Sequence, residues 1–302
     1  MALELKMEDA YGHVQDATTF HLPAWMGFKY VEHGHAGHGI RIPQPFEHTE
    51  TVMVHGKEEE HLVNPFPITK YMVIELFVAV VLVAIFVPLA MRIRKGGVPR
   101  GIIWNFFESL LVFIRNEVAR PTIGRKEGDK YLPFLWTLFF FVLGCNLSGM
   151  LPWMGSPTGA LACTLTLAVI TFVVVTVVGM LKYGGWEYWF GLVPPLGLPW
   201  YMMIVLWPML LVIEIVALCI KHFILAVRLL ANMFAGHMVL SVILLFAVAT
   251  AGESLFFHSG IAAVSLFGGV CISMLELFVG FLQAYIFVFL ASLFIGMSVH
   301  QH

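Results

Sequence analysis

From residue 131 to residue 302 this chain carries only seven charged side chains: Lys182, Glu187, Glu214, Lys221, Arg228, Glu253 and Glu276. The apolar stretches between them are long enough to cross a hydrocarbon layer about 30 Å thick, which takes about 20 residues of helix. Inside such a layer each backbone N–H and C=O must find its partner within the protein, so the spans form as helices. Composition agrees: 59% of residues are hydrophobic and 12% charged, against about 25% charge in a soluble domain, and the mean hydropathy is +0.86. Too little polar surface is left to cover a soluble enzyme, a disordered scaffold or a disulfide-built secreted module. A net charge of −2 offers no basic footprint for nucleic acid. The chain reads as an all-α integral membrane protein.

The other 29 of 36 charges lie in residues 1–130. Residues 1–68 are polar, with ten acidic and four basic residues and eight of the thirteen histidines, including His33, His35 and His38. Imidazole is a common metal ligand, but the segment reads foremost as a solvated, mostly loop-like tail, and nothing at its start has the pattern of a cleaved leader. A first span runs from Ile68 to Met91, and nine basic against four acidic residues follow between 92 and 130. The positive-inside rule puts that loop in the cytoplasm and the tail outside. Within it Ile103, Phe106, Phe107, Leu110, Leu111 and Ile114 recur at helical spacing. That predicts a surface helix near 101–120. Further spans are expected near 132–152 and 160–181, the latter followed by an interface belt of Trp186, Tyr188 and Trp189. The four cysteines are isolated and read as small buried hydrophobes.

The last two apolar stretches, near 199–248 and 261–299, are too long for upright spans: one helix over the first would extend roughly 70 Å. Between 201 and 247 the only proline is Pro208 and the only glycine Gly236. A turn has little to work with there, so the pattern predicts two long, steeply tilted helices joined near Gly252–Gly260, making about five transmembrane helices in a membrane domain over 69–302.

Charges inside a membrane cost about 2.5–3.5 kcal/mol each at the centre of a span and usually face protein or water. Glu214, Lys221 and Arg228 stand seven apart on one helical stripe, and Asn232 extends it. The rise between neighbours, about 10 Å, argues against a simple ladder of ion pairs. His237 projects half a turn from Arg228 and should face a different neighbour. On the last helix Glu276 and Gln283 share a face. Counted outward from the joining loop, His237 and Glu276 reach similar depth, so the two could form one proton relay.

At these residues the chain resembles subunit a of F-type ATP synthases. The motifs that carry the resemblance are Arg228-Leu229-Leu230-Ala231-Asn232 through Gly236-His237, then Glu276 through Leu282-Gln283-Ala284-Tyr285-Ile286-Phe287, and Cys145-Asn146-Leu147 with Leu151-Pro152. Glu214 and Lys221 stand at the family's distances before the arginine. His222 departs from a position that is often proline, and Gly149 from one that can be acidic. The resemblance implies a stator subunit of a bacterial inner membrane, with the N-terminus outside and the C-terminus in the cytoplasm. Its two half-channels would pass protons to and from the carboxylates of a rotating c ring, with the two long helices tilted against that ring. Arg228 would separate the channels, with Glu214, Lys221, Asn232, His237, Glu276 and Gln283 lining or positioning them. The implied partners are the c ring, the subunit b peripheral stalk, other ATP synthase subunits and lipid. No cofactor is implied, and without a GxxxxGK[ST] motif the chain has no nucleotide chemistry of its own. Two competing readings are a stand-alone proton or ion transporter, and a haem protein using His222 and His237, which would need a second facing histidine.

Overall fold

The computed structural model describes residues 17–21, 29–32, 35–45, 48–54, 57–63, 67–94, 101–151, 154–193, 200–250 and 255–300. The start of the chain, His33, Pro152 and Gly252, on which some expectations above fell, lie outside them.

Among its described residues the N-terminal tail is largely strand rather than loop. Its described residues form strands β1 (Thr19–His21), β2 (Lys29–Glu32), β3 (His35–Arg41), β4 (His48–Val54) and β5 (Lys57–Val63). The first three make an antiparallel sheet in the order β1-β3-β2, and the last two an antiparallel hairpin with Val54 opposite Lys57. These strands lack the apolar alternation that reveals a half-buried sheet, and their pairing rests on main-chain bonds. The tail is tied to the first span. Lys70 N–H donates to the Ala17 carbonyl at 2.8 Å. The Gln44 amide brackets Ile68, donating to its carbonyl at 2.8 Å and accepting from its N–H at 2.9 Å.

The membrane domain is helical throughout. Helix α1 (Lys70–Arg94) is followed by α2 (Ile102–Phe113), a π-helical turn at Ile114–Ala119, the short α3 (Arg120–Ile123) and α4 (Arg125–Gly149). Then come α5 (Leu161–Tyr183), the short α6 (Gly185–Phe190), α7 (Trp200–Ala249) and α8 (Leu255–Val299). Five of these are long and apolar enough to cross a membrane, and the last two contribute stretches of 41 and 42 residues. Both remain continuous helices, as the missing turn chemistry predicts. The joining loop is shorter than expected, because α8 already begins at Leu255.

The helix expected near 101–120 is one continuous helical run, from α2 through the π-helical turn to the end of α3 at Ile123. Gly124, at φ 101°, breaks the chain direction before α4. The forked Arg115 guanidinium then ties the π-helical turn to α4, donating to both Asp129 oxygens at 2.9 and 2.7 Å. Asp129 in turn holds the Arg115 guanidinium above its ordinary pKa. Phe107 packs on Phe86 and Phe140, while Ile102, Ile103 and Phe106 point outward. The aromatic belt splits: Trp186 is 79% exposed, but Tyr188 is buried, its ring filling the space a side chain on Gly179 would need. Cys219 and Cys271 are exposed on the isolated chain, against expectation, and all four thiols are free.

Lipid gives helices no hydrophobic drive to associate, so close approach through small residues matters most. Two such points fix α8. At Gly296 an added Cβ would come within 2.2 Å of the Thr122 carbonyl oxygen. At Gly280 the carbonyl accepts from Asn146 Nδ2 at 2.8 Å. Around them Phe139, Val142, Phe287, Val288, Ala291 and Ile295 make the core between α4 and α8.

A continuous α7 puts residue 221 inside the membrane sector, whereas a two-span fold would turn there on the side of the N-terminal strands. A Lys221→Cys chain should therefore resist an impermeant thiol reagent applied from that side. Rapid labelling would show that α7 is two spans.

Candidate functional site

All seven candidate site residues are described, and they fall into three groups along α7. The first is near its N-terminal end, where Lys221 Nζ approaches Glu214 Oε1 at 3.9 Å, both side chains about 40% exposed. The spacing argument had set direct pairing aside; two long side chains reaching toward each other close the gap. The pair lines a cavity of about 520 Å³ whose wall also includes Tyr188, Phe294, Ser298 and His300. His300 Nε2 lies 2.9 Å from the Ile123 carbonyl, so the C-terminal end of α8 is held to the end of α3 beside this space.

The second group lies toward the other end. Its centre is the seam where α7 and α8 run antiparallel. Leu229 and Met233 are buried, and an added Cβ on Gly236 would come 3.0 Å from Glu276 Oε1. With no side chain there, Glu276, itself only 5% exposed, can lie against the α7 backbone. Asn232 and His237 flank this seam on opposite sides. Asn232 Nδ2 donates to Gln283 Oε1 at 2.8 Å. His237 Nδ1 sits 3.3 Å from Glu276 Oε1, an ion-pair distance without hydrogen-bond alignment. His237 thus meets Glu276 of α8, the residue with which counting from the joining loop had matched it in depth, and stands half a turn from Arg228.

A polar chain continues from this seam into α4 and the turn after it. Asn146 bonds Gly280, and Thr158 Oγ1 donates to Asn146 Oδ1 at 2.7 Å. Ser156 and Thr158 share a hydrogen at 2.7 Å. Gly149 is pressed against both Ser156 and His237, with Nε2 3.0 Å from where its Cβ would stand. The sequence reading assigned no role to Ser156, Thr158 or Gly149. Thr158 enters the site through its bond to Asn146, and Ser156 through its bond to Thr158.

The third group is Arg228 alone. Half-buried on α7, it is engaged by no hydrogen bond or ion pair among the described residues. Its neighbours Ile224, Val227 and Phe234 are exposed apolar side chains, as are Met274, Phe278 and Phe281 on α8. Along the helix Arg228 stands about 10 Å from Lys221 and about 13 Å from His237. Among the described residues no group of three or more His, Cys, Asp or Glu side chains is placed to hold a metal ion.

Residues 72–296 match the family model described as ATP synthase A chain. The chain is 41% identical over 254 residues to ATP synthase subunit a of Myxococcus xanthus (strain DK1622), covering 82% of this chain and 80% of the relative. Against ATP synthase subunit a of Anaeromyxobacter sp. (strain Fw109-5) it is 34% identical over 302 residues, 96% of this chain and 70% of that one. Against ATP synthase subunit a of Anaeromyxobacter dehalogenans (strain 2CP-C) it is 39% identical over 239 residues, 78% of this chain but only 58% of the longer relative.

The 3.3 Å contact makes a coupling prediction. Replacing either His237 or Glu276 by an apolar residue should lower proton flux through the reconstituted complex far more than it lowers assembly. The exchange His237→Glu with Glu276→His should recover more flux than either half alone, with a coupling of about 1 kcal/mol or more in the double-mutant cycle. Strictly additive losses would mean the two side chains work separately.

Proposed function

This chain belongs to the ATP synthase A chain family, and on that premise we propose how it performs the family's work. It is the non-catalytic, proton-translocating stator subunit of an F-type ATP synthase and a multi-pass membrane protein. In the proposed mechanism protons cross it through two half-channels that never join. One is the seam of His237 and Glu276 with Asn146, Ser156 and Thr158, open to the outside. The other is the cavity beside Glu214 and Lys221, open to the cytoplasm. Between them Arg228 and Asn232 face a ring of rotor subunits across the exposed surface of α7 and α8.

The observation that carries this reading is the unpaired arginine. A guanidinium stays charged at any relevant pH, and midway through a membrane it costs several kcal/mol unless an anion or water meets it. Among the described residues none brings it a carboxylate, so in this reading a partner brings one to the apolar face where Arg228 stands. A rotor carboxylate fits. Protonated from the outer side, it is neutral and can travel through lipid. On returning to the stator it loses its proton to the cytoplasmic cavity, and the anion is held by Arg228. The same fixed positive charge repels a proton moving directly from one channel to the other, so transfer requires rotation.

The side chains divide the work by chemistry. His237 and Glu276 can each gain and lose a proton, so they serve the outer approach. Asn232 and Gln283 hold the seam without titrating. Glu214 and Lys221 keep the cytoplasmic approach hydrated. In this reading the N-terminal strands face outside, His300 faces the cytoplasm, the host membrane is the bacterial inner membrane, and the subunit b stalk holds the chain against the ring's torque.

Arg228→Ala should abolish proton-driven ATP synthesis in reconstituted complexes while leaving assembly largely intact. Arg228→Lys should also fail or nearly fail, since a point charge lacks the planar fork that meets a carboxylate. Near-normal synthesis by Arg228→Ala complexes would rule the role out.

A further inference from the structure

One buried titratable group takes no part in the mechanism above. His222 is 3% exposed, on the face of α7 that turns toward α5 and α8. Its ring is held edge-on to Phe172 of α5, centroids 5.3 Å apart, and against Phe294 of α8 at 4.8 Å. Nδ1 lies 2.9 Å from the Leu218 carbonyl. A carbonyl only accepts, so Nδ1 carries a hydrogen and the neutral ring presents a bare lone pair on Nε2. That nitrogen is buried and has no hydrogen-bond partner among the described residues. Leaving such an acceptor unsatisfied is costly, and the usual remedy is a water molecule.

The source of that water is next door. Leu218, which fixes the ring, and Phe294, which packs against it, are both wall residues of the cavity of about 520 Å³. The titratable groups on that wall are Tyr188, Glu214, Lys221 and His300. Glu214 and Lys221 hold each other as a charge pair, and His300 is tied to the Ile123 carbonyl at the far end. The faces of α5 and α8 that meet the imidazole are aromatic. His222 also lies six residues before Arg228, about 9 Å along the helix, on the cytoplasmic side of it.

We propose that His222 is a proton-accepting residue of the cytoplasmic half-channel, taking the proton that leaves the rotor carboxylate and passing it to water in the cavity. The inference rests on the half-channel reading above. In the step, a hydrated proton on the Arg228 side binds the Nε2 lone pair and gives an imidazolium that keeps its Nδ1–H bond to Leu218. The same proton then leaves Nε2 for a cavity water, and the ring returns to its starting tautomer. An imidazole is suited to this because a single ring nitrogen can take up a proton and give it back.

The test uses complete complexes in liposomes, with proton flux measured while the cytoplasmic-side pH is varied over about 6 to 8. His222→Gln, which keeps a polar amide, and His222→Phe, which fills the aromatic pocket, should both assemble yet conduct at least about tenfold more slowly. Both should also flatten the dependence on cytoplasmic-side pH. Imidazole added from the cytoplasmic side should restore flux to His222→Ala. Wild-type flux in either conservative variant overturns the proposal. A loss with unchanged pH profile and no imidazole rescue also overturns it, by assigning His222 a packing role. A parallel Met297→Cys complex separates the two levels of the argument. If silver ions from the cytoplasmic side do not reach that wall position, the half-channel reading itself fails. If they do, and His222→Gln still conducts normally, only the role of His222 fails.

Discussion

The close antiparallel approach of α7 and α8 at Gly236 is the contact on which the rest of the site depends. A glycine there lets the Glu276 carboxylate lie 3.0 Å from where a Cβ would stand, and that depth sets the register of the seam. With the register fixed, Asn232 meets Gln283 and His237 meets Glu276. In lipid such polar contacts add only modestly to stability, about 1 kcal/mol each. Their larger effect is selective: a slip of one turn in either helix would part Asn232 from Gln283 and His237 from Glu276 at once, with Gln283 and Glu276 buried. In the proposed mechanism the seam both holds the helices and lines the path.

The Arg228 side of α7 follows a different logic. The seam-side polar groups meet one another across α7 and α8, whereas among the described residues Arg228 has no hydrogen bond or ion pair and stands among exposed apolar side chains. A surface of Ile224, Val227, Phe278 and Phe281 suits lipid, but a guanidinium does not, and in the proposed mechanism that face meets both lipid and an anionic partner. This is the combination that a rotating, alternately neutral and charged carboxylate requires. The charge difference between its two states decides whether it stays beside Arg228 or moves on.

Much of this was legible from residues alone. Hydropathy located all five spanning helices, and the absence of glycine and proline in 201–247, apart from Pro208 and Gly236, identified α7 as one helix. The spacing of Glu214, Lys221, Arg228 and Asn232 picked out the candidate side chains on that helix. What escaped depended on contacts between elements. The N-terminal strands carry no apolar alternation, so their pairing left no periodic signal. The pairing of Asn232 with Gln283 joins two helices, which projection around a single one does not show. Ser156 and Thr158 carry no periodic signal, and only the bond from Thr158 to Asn146, itself bonded to Gly280, brings them to the seam. His222 showed nothing in sequence beyond its departure from proline; the orphaned Nε2 is visible only in three dimensions.

The central claim is that two aqueous approaches reach the rotor separately and that the charge of Arg228 keeps them apart. The most direct measurement is passive proton flow through reconstituted membrane sectors whose ring is locked by a covalent cross-link to the stator. With Arg228 present, the locked complex should be tight to protons in both directions. With Arg228→Ala in the same locked complex, protons should leak down their gradient without rotation. A locked Arg228→Ala complex as tight as its Arg228 counterpart would contradict the account.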